Sequence, residues 1–383
     1  MKKNVLIINS SDEDIYPLFE TLRALNDDFL FSGIASYFNA NSRSCFVMTG
    51  KKYSYFVGWF VFSNLASSIV FLTIYPLYFL VYSLYLMVLT YVRKIDVVVC
   101  ISLFEKIVFS IPARLLGLRL IWIELPGEDI LLEGRIIRSI FKINSKFCHK
   151  VLTYSDYSKE KLKIVGVDSG KILRLLPSID IKEEAHQDNL FNNMAMKERG
   201  GSLRRFFTVG VIENLNNDSN IGILFQAVKK CIEVIPNLQV IVIGEGDEKN
   251  NLVWMAKTMK LENVIWFVGK QVRLHKWINN FDSYVCVKNF PTLVDLTIAL
   301  KVMYARVPII AQRHVGFEEQ IVDLKGRLST LVDIDNIDVV AKKIVEIEQK
   351  VVARDKIGQL QREKVLKEFT IDKQIAKLRE AFN

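Results

Sequence analysis

The chain has 383 residues, half of them hydrophobic, and a formal net charge of +9; its mean hydropathy is +0.21 and its pI about 9.1. That length suits two domains of ordinary size rather than one core, and so apolar a composition points to a membrane contact. The positive balance fits nucleic acid, anionic lipid or a phosphorylated substrate alike. The five cysteines (Cys45, Cys100, Cys148, Cys231 and Cys286) form no C-x-x-C pair and lie near no histidine cluster. Their spacing argues against a zinc site or a disulfide framework.

Residues 1–8 carry lysines followed by a brief apolar run, but 9–14 are too polar to extend it into a signal peptide. The run therefore reads as the first strand of a cytoplasmic protein. Ile15, Leu18, Phe19, Leu22 and Leu25 then recur at helical spacing. The loop between strand and helix holds Asp12, Glu13 and Asp14 but no glycine-rich phosphate loop. Those acids read either as contacts to a substrate hydroxyl or as a solvated first helix turn. The missing phosphate loop makes this an acceptor domain rather than a nucleotide domain.

Residues 53–92 contain no charge, with Lys51 and Lys52 before them and Arg93 and Lys94 after. About 20 apolar residues span a bilayer once and roughly 40 form a hairpin. Basic residues at both ends fit cytoplasmic placement of both ends, with a turn near Pro76. The leading expectation is a membrane-embedded or re-entrant hairpin. A helix pair lying on the membrane surface and an ordinary buried helix are the alternatives.

A buried strand (95–101), a helix (106–116) and another strand (119–124) follow, and this alternation predicts a parallel sheet. Glu124, Glu128 and Asp129 cluster at the end of the second strand, beside Pro126 and Gly127. A general base belongs in such a place, and Glu124 and Glu128 are the catalytic candidates. Arg135, Arg138, Lys142 and Lys146 lie at spacings of three and four on one face of the next helix, which reads as solvated or as attracted to a membrane surface. A strand (151–153), a helix (156–165) and a short strand (173–176) complete the domain. The polar, aperiodic stretch up to 205, with Gly200 and Gly201, reads as a linker.

From 206 the pattern restarts: strand 206–212, helix 220–234, strand 238–243, helix 249–259, strand 264–268. A last unit has a strand (284–287), a polar turn (288–292), a helix holding Leu296, Ala299, Leu300 and Met303, and a strand (307–311). The prediction is an α/β protein of two doubly wound parallel-sheet, Rossmann-like domains with a hydrophobic membrane-associating insertion in the first. The expected boundaries are 1–180 for the acceptor-side domain, 181–205 for the linker, 206–353 for the nucleotide-sugar domain and 354–383 for a helix crossing back. Gly210, Gly244, Gly246 and Gly269 fall at or just after predicted strand ends, where a ligand or a tight turn asks for a residue without a side chain.

Val209-Gly210, Val242-Ile243-Gly244-Glu245-Gly246, Val268-Gly269 and Val307-Pro308-Ile309-Ile310-Ala311 resemble, in order and spacing, the landmarks of GT-B glycosyltransferases of the family-4 group. Ile121-Trp122-Ile123-Glu124 is similar to an acceptor-domain segment of some members. The resemblance implies a nucleotide-sugar donor, no cofactor and no metal. Its usual donor-phosphate arginine and lysine correspond here to Val211 and Ser219, and its paired glutamates to Leu293 and Lys301. Its acceptor-domain histidine would fall near Leu125.

Lys301 resembles a lysine that some membrane-acting GT-B enzymes place early in this helix to meet the nucleotide phosphates. The donor-side candidates are Gly210, Gly244, Glu245, Gly246, Lys270, Thr292, Asp295 and Lys301, with Thr292 and Asp295 both suited to cap the helix. The functional expectation is a membrane-associated glycosyltransferase at the cytoplasmic face of the cell membrane. Its partners would be a nucleotide-sugar, a lipid-linked or glycan acceptor and an anionic membrane surface, in surface polysaccharide or glycoconjugate synthesis. The alternative is a catalytically inactive binding or scaffold subunit that kept the fold. Nucleic acid is not an expected partner, because the basic residues are not interleaved with aromatics along a groove.

Overall fold

Short runs such as residues 97–100 (VVVC) and 238–243 (LQVIVI) are β-branched and almost continuously apolar, as strands are when helices cover both faces of their sheet. The computed structural model describes residues 2–11, 13–36, 53–56, 65–126, 135–185, 206–216, 220–321 and 330–383. It divides into two compact units, Met1–Pro177 with Thr292–Val294 and Asp372–Asn383, and Ser178–Pro291 with Asp295–Ile371.

The first unit runs β1 (Lys3–Asn9), α1 (Tyr16–Ala24), β2 (Phe29–Ser36), β3 (Tyr53–Phe56), α2 (Leu65–Arg93), β4 (Val97–Cys100), α3 (Leu103–Val108), α4 (Ser110–Leu115), β5 (Arg119–Glu124), α5 (Arg135–Ser145), β6 (Lys150–Thr153), α6 (Asp156–Val165) and β7 (Ile172–Arg174). Its strands pair in parallel in the order β3-β2-β1-β4-β5-β6-β7. On one face Tyr82, Leu86 and Leu89 of α2 share a core with Phe104 of α3, Phe109, and Ile137 and Phe141 of α5.

The uncharged stretch 53–92 departs from the expected hairpin. Its first four residues are β3, the edge strand of this sheet, and residues 65–93 form one helix that runs through Pro76. A proline removes a single ladder bond. Tyr78, Tyr82, Leu86 and Leu89, spaced at three and four residues, seat the following turns against the sheet.

The second unit runs β8 (Phe207–Ile212), α7 (Ile221–Cys231), β9 (Leu238–Ile243), α8 (Lys249–Thr258), β10 (Ile265–Gly269), α9 (Leu274–Ile278), β11 (Ser283–Val285), α10 (Leu293–Tyr304), β12 (Ile309–Gln312), α11 (Val315–Gln320), β13 (Leu331–Val332), α12 (Ile337–Gln349) and α13 (Val351–Glu368). Its strands are parallel in the order β10-β9-β8-β11-β12-β13. The chain moves outward from β8 to β10 and restarts at β11 on the other side of β8. Strand order therefore reverses between β8 and β11, the kind of position where ligands of doubly wound sheets bind, outside the carboxyl ends. The last helix, α14 (Ile371–Phe382), belongs to the first unit from residue 372. Leu378, Ala381 and Phe382 pack with Phe19, Leu22, Phe29 and Phe31 on that unit's second sheet face.

In α13, Gly358 is held to glycine by its neighbour. A Cβ there would sit 2.2 Å from the carbonyl oxygen of Arg306. Arg306 itself has φ +63° just after α10. Replacing a helix-interior glycine by alanine ordinarily gains about 0.5–1 kcal/mol, but a clash with backbone outweighs that gain. Gly358→Ala is expected to lower the melting temperature, as measured by thermal unfolding; a higher value would refute this reading of the contact.

Candidate functional site

The reversal between β8 and β11 brings together three charged groups far apart in sequence. Glu213 follows the last residue of β8, Lys288 lies three residues beyond β11, and Asp295 is in the first turn of α10. The Lys288 Nζ is 3.1 Å from Glu213 Oε1 and 3.3 Å from Asp295 Oδ2. The two carboxylate side chains are only 3% and 6% exposed, whereas that of Lys288 is 22% exposed.

Burial disfavours the charged form of Glu213, and Asp295 adds to the effect. Together they outweigh the attraction of Lys288 and push the Glu213 carboxyl up to about 7. Lys288 is pulled the other way: burial opposes its charge, but the two carboxylates hold its pKa above the usual lysine value. At neutral pH the cluster thus holds its ammonium charged while the Glu213 carboxyl is poised to change charge. In the sequence Lys288 lies in a polar turn, and Glu213 carries no motif that marks it. The hint was positional, since both residues stand just after predicted strands.

Gly210 lies within β8, not at its end, paired to Ile241 and Tyr284. A Cβ on it would meet the ring of Phe281 at 2.1 Å. Gly244 has φ +150°, and a Cβ there would fall 1.8 Å from the Glu213 carbonyl; one on Gly246 would fall 2.2 Å from that of Leu215. Gly244 and Gly246 let neighbouring backbone approach, and Gly210 makes room for an aromatic ring. Glu245 pairs with Lys249 at 2.8 Å on the surface, and Lys270 is exposed just past β10. The Glu245 carbonyl accepts from the Leu215 amide at 3.0 Å, just beyond β8, while its side chain faces Lys249.

Thr292 immediately precedes α10 and so holds the capping position, while Asp295 is the helix's third residue. Lys301 is in the last turn of α10, not early in it. Eight residues at about 1.5 Å each put it roughly 12 Å along from the helix start. The six-residue step from Asp295 turns about 240° around the axis, so Lys301 leaves on another face. There its Nζ bonds Glu184 Oε1 at 2.7 Å, from a short helix over 181–185. Of the positions where the resembled family carries donor charges, Val211 is wholly buried and Leu293 is 1% exposed; Ser219 is outside the described residues.

In the first unit, Glu124 ends β5 opposite Thr153 of β6. It is ion-paired with Lys106 of α3 at 3.1 Å, with the two side chains 8% and 1% exposed. Leu125, the position matching the family's histidine, is 1% exposed and belongs to the core. Glu128, Asp129 and Gly127 lie outside the described residues, as does Asp12. Among the described residues, no group of three His, Cys, Asp or Glu side chains is placed to hold a metal ion.

Residues 196–364 match the family described as glycosyl transferases group 1. The whole architecture is similar to that of Alr3699/HepE from Anabaena, crystallised in complex with UDP, at TM-score 0.73 and 14% identity over 99% of both chains. It is equally similar to a glycosyltransferase from Rickettsia africae, at TM-score 0.73 and 13% identity, over 100% of this chain and 98% of the other. The chain has the GT-B fold of these structures. An uncharacterised glycosyltransferase of Methanocaldococcus jannaschii, MJ1059, is 20% identical over 154 residues, which are 40% of this chain but only 37% of that protein.

Within the second unit the Glu213–Lys288–Asp295 cluster sets a pH signature. An acid whose folded pKa is raised to about 7 binds more protons folded than unfolded between its unfolded value and 7. Stability therefore falls as pH rises through that window and levels off above it. Glu213→Gln removes this group's contribution. Denaturant unfolding is expected to show the variant gaining on the parent protein between pH 5 and pH 8; a constant difference would refute the assigned ionisation.

Proposed function

We propose that the chain is a sugar-nucleotide-dependent glycosyltransferase of the family-4 group, hexosyltransferase in type. It would work at the cytoplasmic face of the cell membrane, moving a sugar to a lipid-linked or glycan acceptor in surface polysaccharide or glycoconjugate synthesis. The donor belongs to the second unit, at the carboxyl ends of β8, β9 and β11, beside Lys288 and Asp295. Support for that placement comes from the group 1 match over 196–364 and from the UDP and UDP-glucose complexes of the similar Anabaena protein. Catalysis would consist mainly of positioning the two substrates and stabilising the departing diphosphate.

The observation that carries the membrane part is the outer face of α2. Leu77, Leu80, Leu84 and Val88 are each more than half exposed, and Val81 and Met87 49% exposed. The same helix buries Tyr82, Leu86 and Leu89 against the sheet. A helix with one side packed on protein meets lipid along the other, so it lies in the interface plane rather than crossing it. On the same sheet face, α5 buries Ile137 and Phe141 and exposes Arg135, Arg138 and Lys142, with exposed Lys146 just after it. Each basic residue near an anionic surface adds about 1 kcal/mol of attraction.

Co-sedimentation with vesicles tests this reading. The intact protein is expected to pellet with phosphatidylcholine vesicles containing phosphatidylglycerol, and Leu84→Asp with Val88→Asp is expected to release it. Both residues are exposed, so the fold should tolerate them. Protein that stays in the supernatant with anionic vesicles would remove the membrane part of the proposal.

On the acceptor side Glu124 is the described carboxylate suited to general-base work, with Glu128 the second candidate. Glu124→Gln is expected to lower turnover by roughly two to four orders of magnitude, with sugar-nucleotide affinity unchanged by calorimetry. Loss of donor affinity instead would take Glu124 out of the acceptor role.

A further inference from the structure

The resembled family's usual donor-phosphate cations are replaced here by Val211 and Ser219, so a different group must face the donor's negative charge. Among the described residues, the cations near strand ends or on α10 in the second unit include Lys270, exposed just past β10, and four others. Lys249 is paired with Glu245 at 2.8 Å. Lys301 leaves the last turn of α10 toward Glu184. Arg313, beyond β12, donates to the Leu331 carbonyl at 2.8 Å. Of these, Lys288 stands against Glu213 and Asp295 at the β8/β11 reversal, the position where ligands of doubly wound sheets sit. Its ammonium is also the solvent-reached member of its cluster, above two carboxylates that are nearly sealed.

We propose that Lys288 is the side-chain cation that meets the donor's diphosphate, and that its shift from Glu213 to the phosphates draws one proton from solvent onto Glu213. This rests on the donor site proposed above and deepens it. The balance is simple: no covalent bond changes, Lys288 keeps its charge, and the proton added to Glu213 offsets part of the arriving negative charge. Without that proton, a diphosphate would enter beside two buried carboxylates sharing one ammonium.

Among the described residues, the titratable groups that act on Glu213 come from two elements. From β11 and the residues after it come Tyr284, Cys286 and Lys288; from α10 comes Asp295. Burial keeps the tyrosine and the thiol neutral at physiological pH. Lys288 and Asp295 are therefore the charges that set the protonation of Glu213. A carboxyl already held near 7 needs little additional negative field to take up a proton. Asp295, on the far side of Lys288, keeps the ammonium charged and in place throughout.

Sugar nucleotides are the suitable probes, because a free terminal phosphate titrates near 6 and would mask the signal, whereas a diphosphate capped by a sugar does not. Calorimetric titrations with UDP-glucose, GDP-glucose and ADP-glucose in two buffers of different ionisation enthalpy measure the protons exchanged. For whichever donor binds, the expected result is uptake of up to one proton. Affinity should weaken toward tenfold per pH unit above 7. Glu213→Gln should abolish both effects, and Lys288→Gln should weaken binding by about tenfold or more. Binding without proton uptake, or uptake that persists in Glu213→Gln, would overturn the inference while leaving the donor site standing. If none of the three sugar nucleotides binds, the donor site itself fails, and this inference with it. Should Lys288→Gln fold poorly, the proton count on the unmutated protein and on Glu213→Gln still decides.

Discussion

A parallel sheet has no side that can face water, and this constraint arranges everything else in the molecule. Each strand must be followed by a crossover that covers one face, so loops gather at the carboxyl ends and helix starts point into them. In the second unit this gathers Glu213, Lys288 and Asp295, separated by as many as 82 residues of sequence, into contacts of 3.1 and 3.3 Å. The same rule brings Glu124 and Lys106 together in the first unit. Backbone order thus precedes charge chemistry. The sheets decide which side chains meet, and the energetics of burial decide what state they are in.

How much of this was legible in the sequence follows from what each signal measures. Periodicity reports exposure, so amphipathic helices and buried strands were readable. The helix at 156–165 was read with its true limits, and the strand-helix-strand unit around α10 came within two residues of the observed bounds. The uncharged stretch 53–92 misled because hydropathy does not distinguish lipid from a sheet as the apolar neighbour. Part of it is a strand, and the rest is one long helix. Proline was taken as a turn where packing on both sides of it sustains the helix. Lys301 was placed by alignment without knowing where α10 starts, and a shift of two turns carries a side chain to another face and another partner. Glu213 and Lys288 were overlooked because no spacing rule links a residue after one strand to a residue after another.

The glycines show a similar ambiguity. A residue lacking a side chain beside a strand end admits a ligand or admits protein, and the sequence signal is the same for both. Here Phe281 fills the space at Gly210, and the Glu213 and Leu215 carbonyls fill it at Gly244 and Gly246. The close approach serves the site indirectly. It lets the segment after β8 lie tightly against the segment after β9, which fixes the backbone from which Glu213 projects.

The return of α14 to the first unit has a consequence for the order of assembly. Phe382 makes edge contacts with Phe29 and Phe31 at ring distances of 5.3 and 6.2 Å, and Gln374 accepts from Thr21 at 2.5 Å and donates to the Leu176 carbonyl at 2.8 Å. Those partners leave the ribosome before the second unit is made, and Phe382 leaves after it. The first sheet therefore waits with one apolar face incomplete while a whole second core is synthesised and folds. During translation the unit begun first is the unit finished last. The exposed β2 aromatics in that interval are the natural target for a chaperone that holds nascent chains.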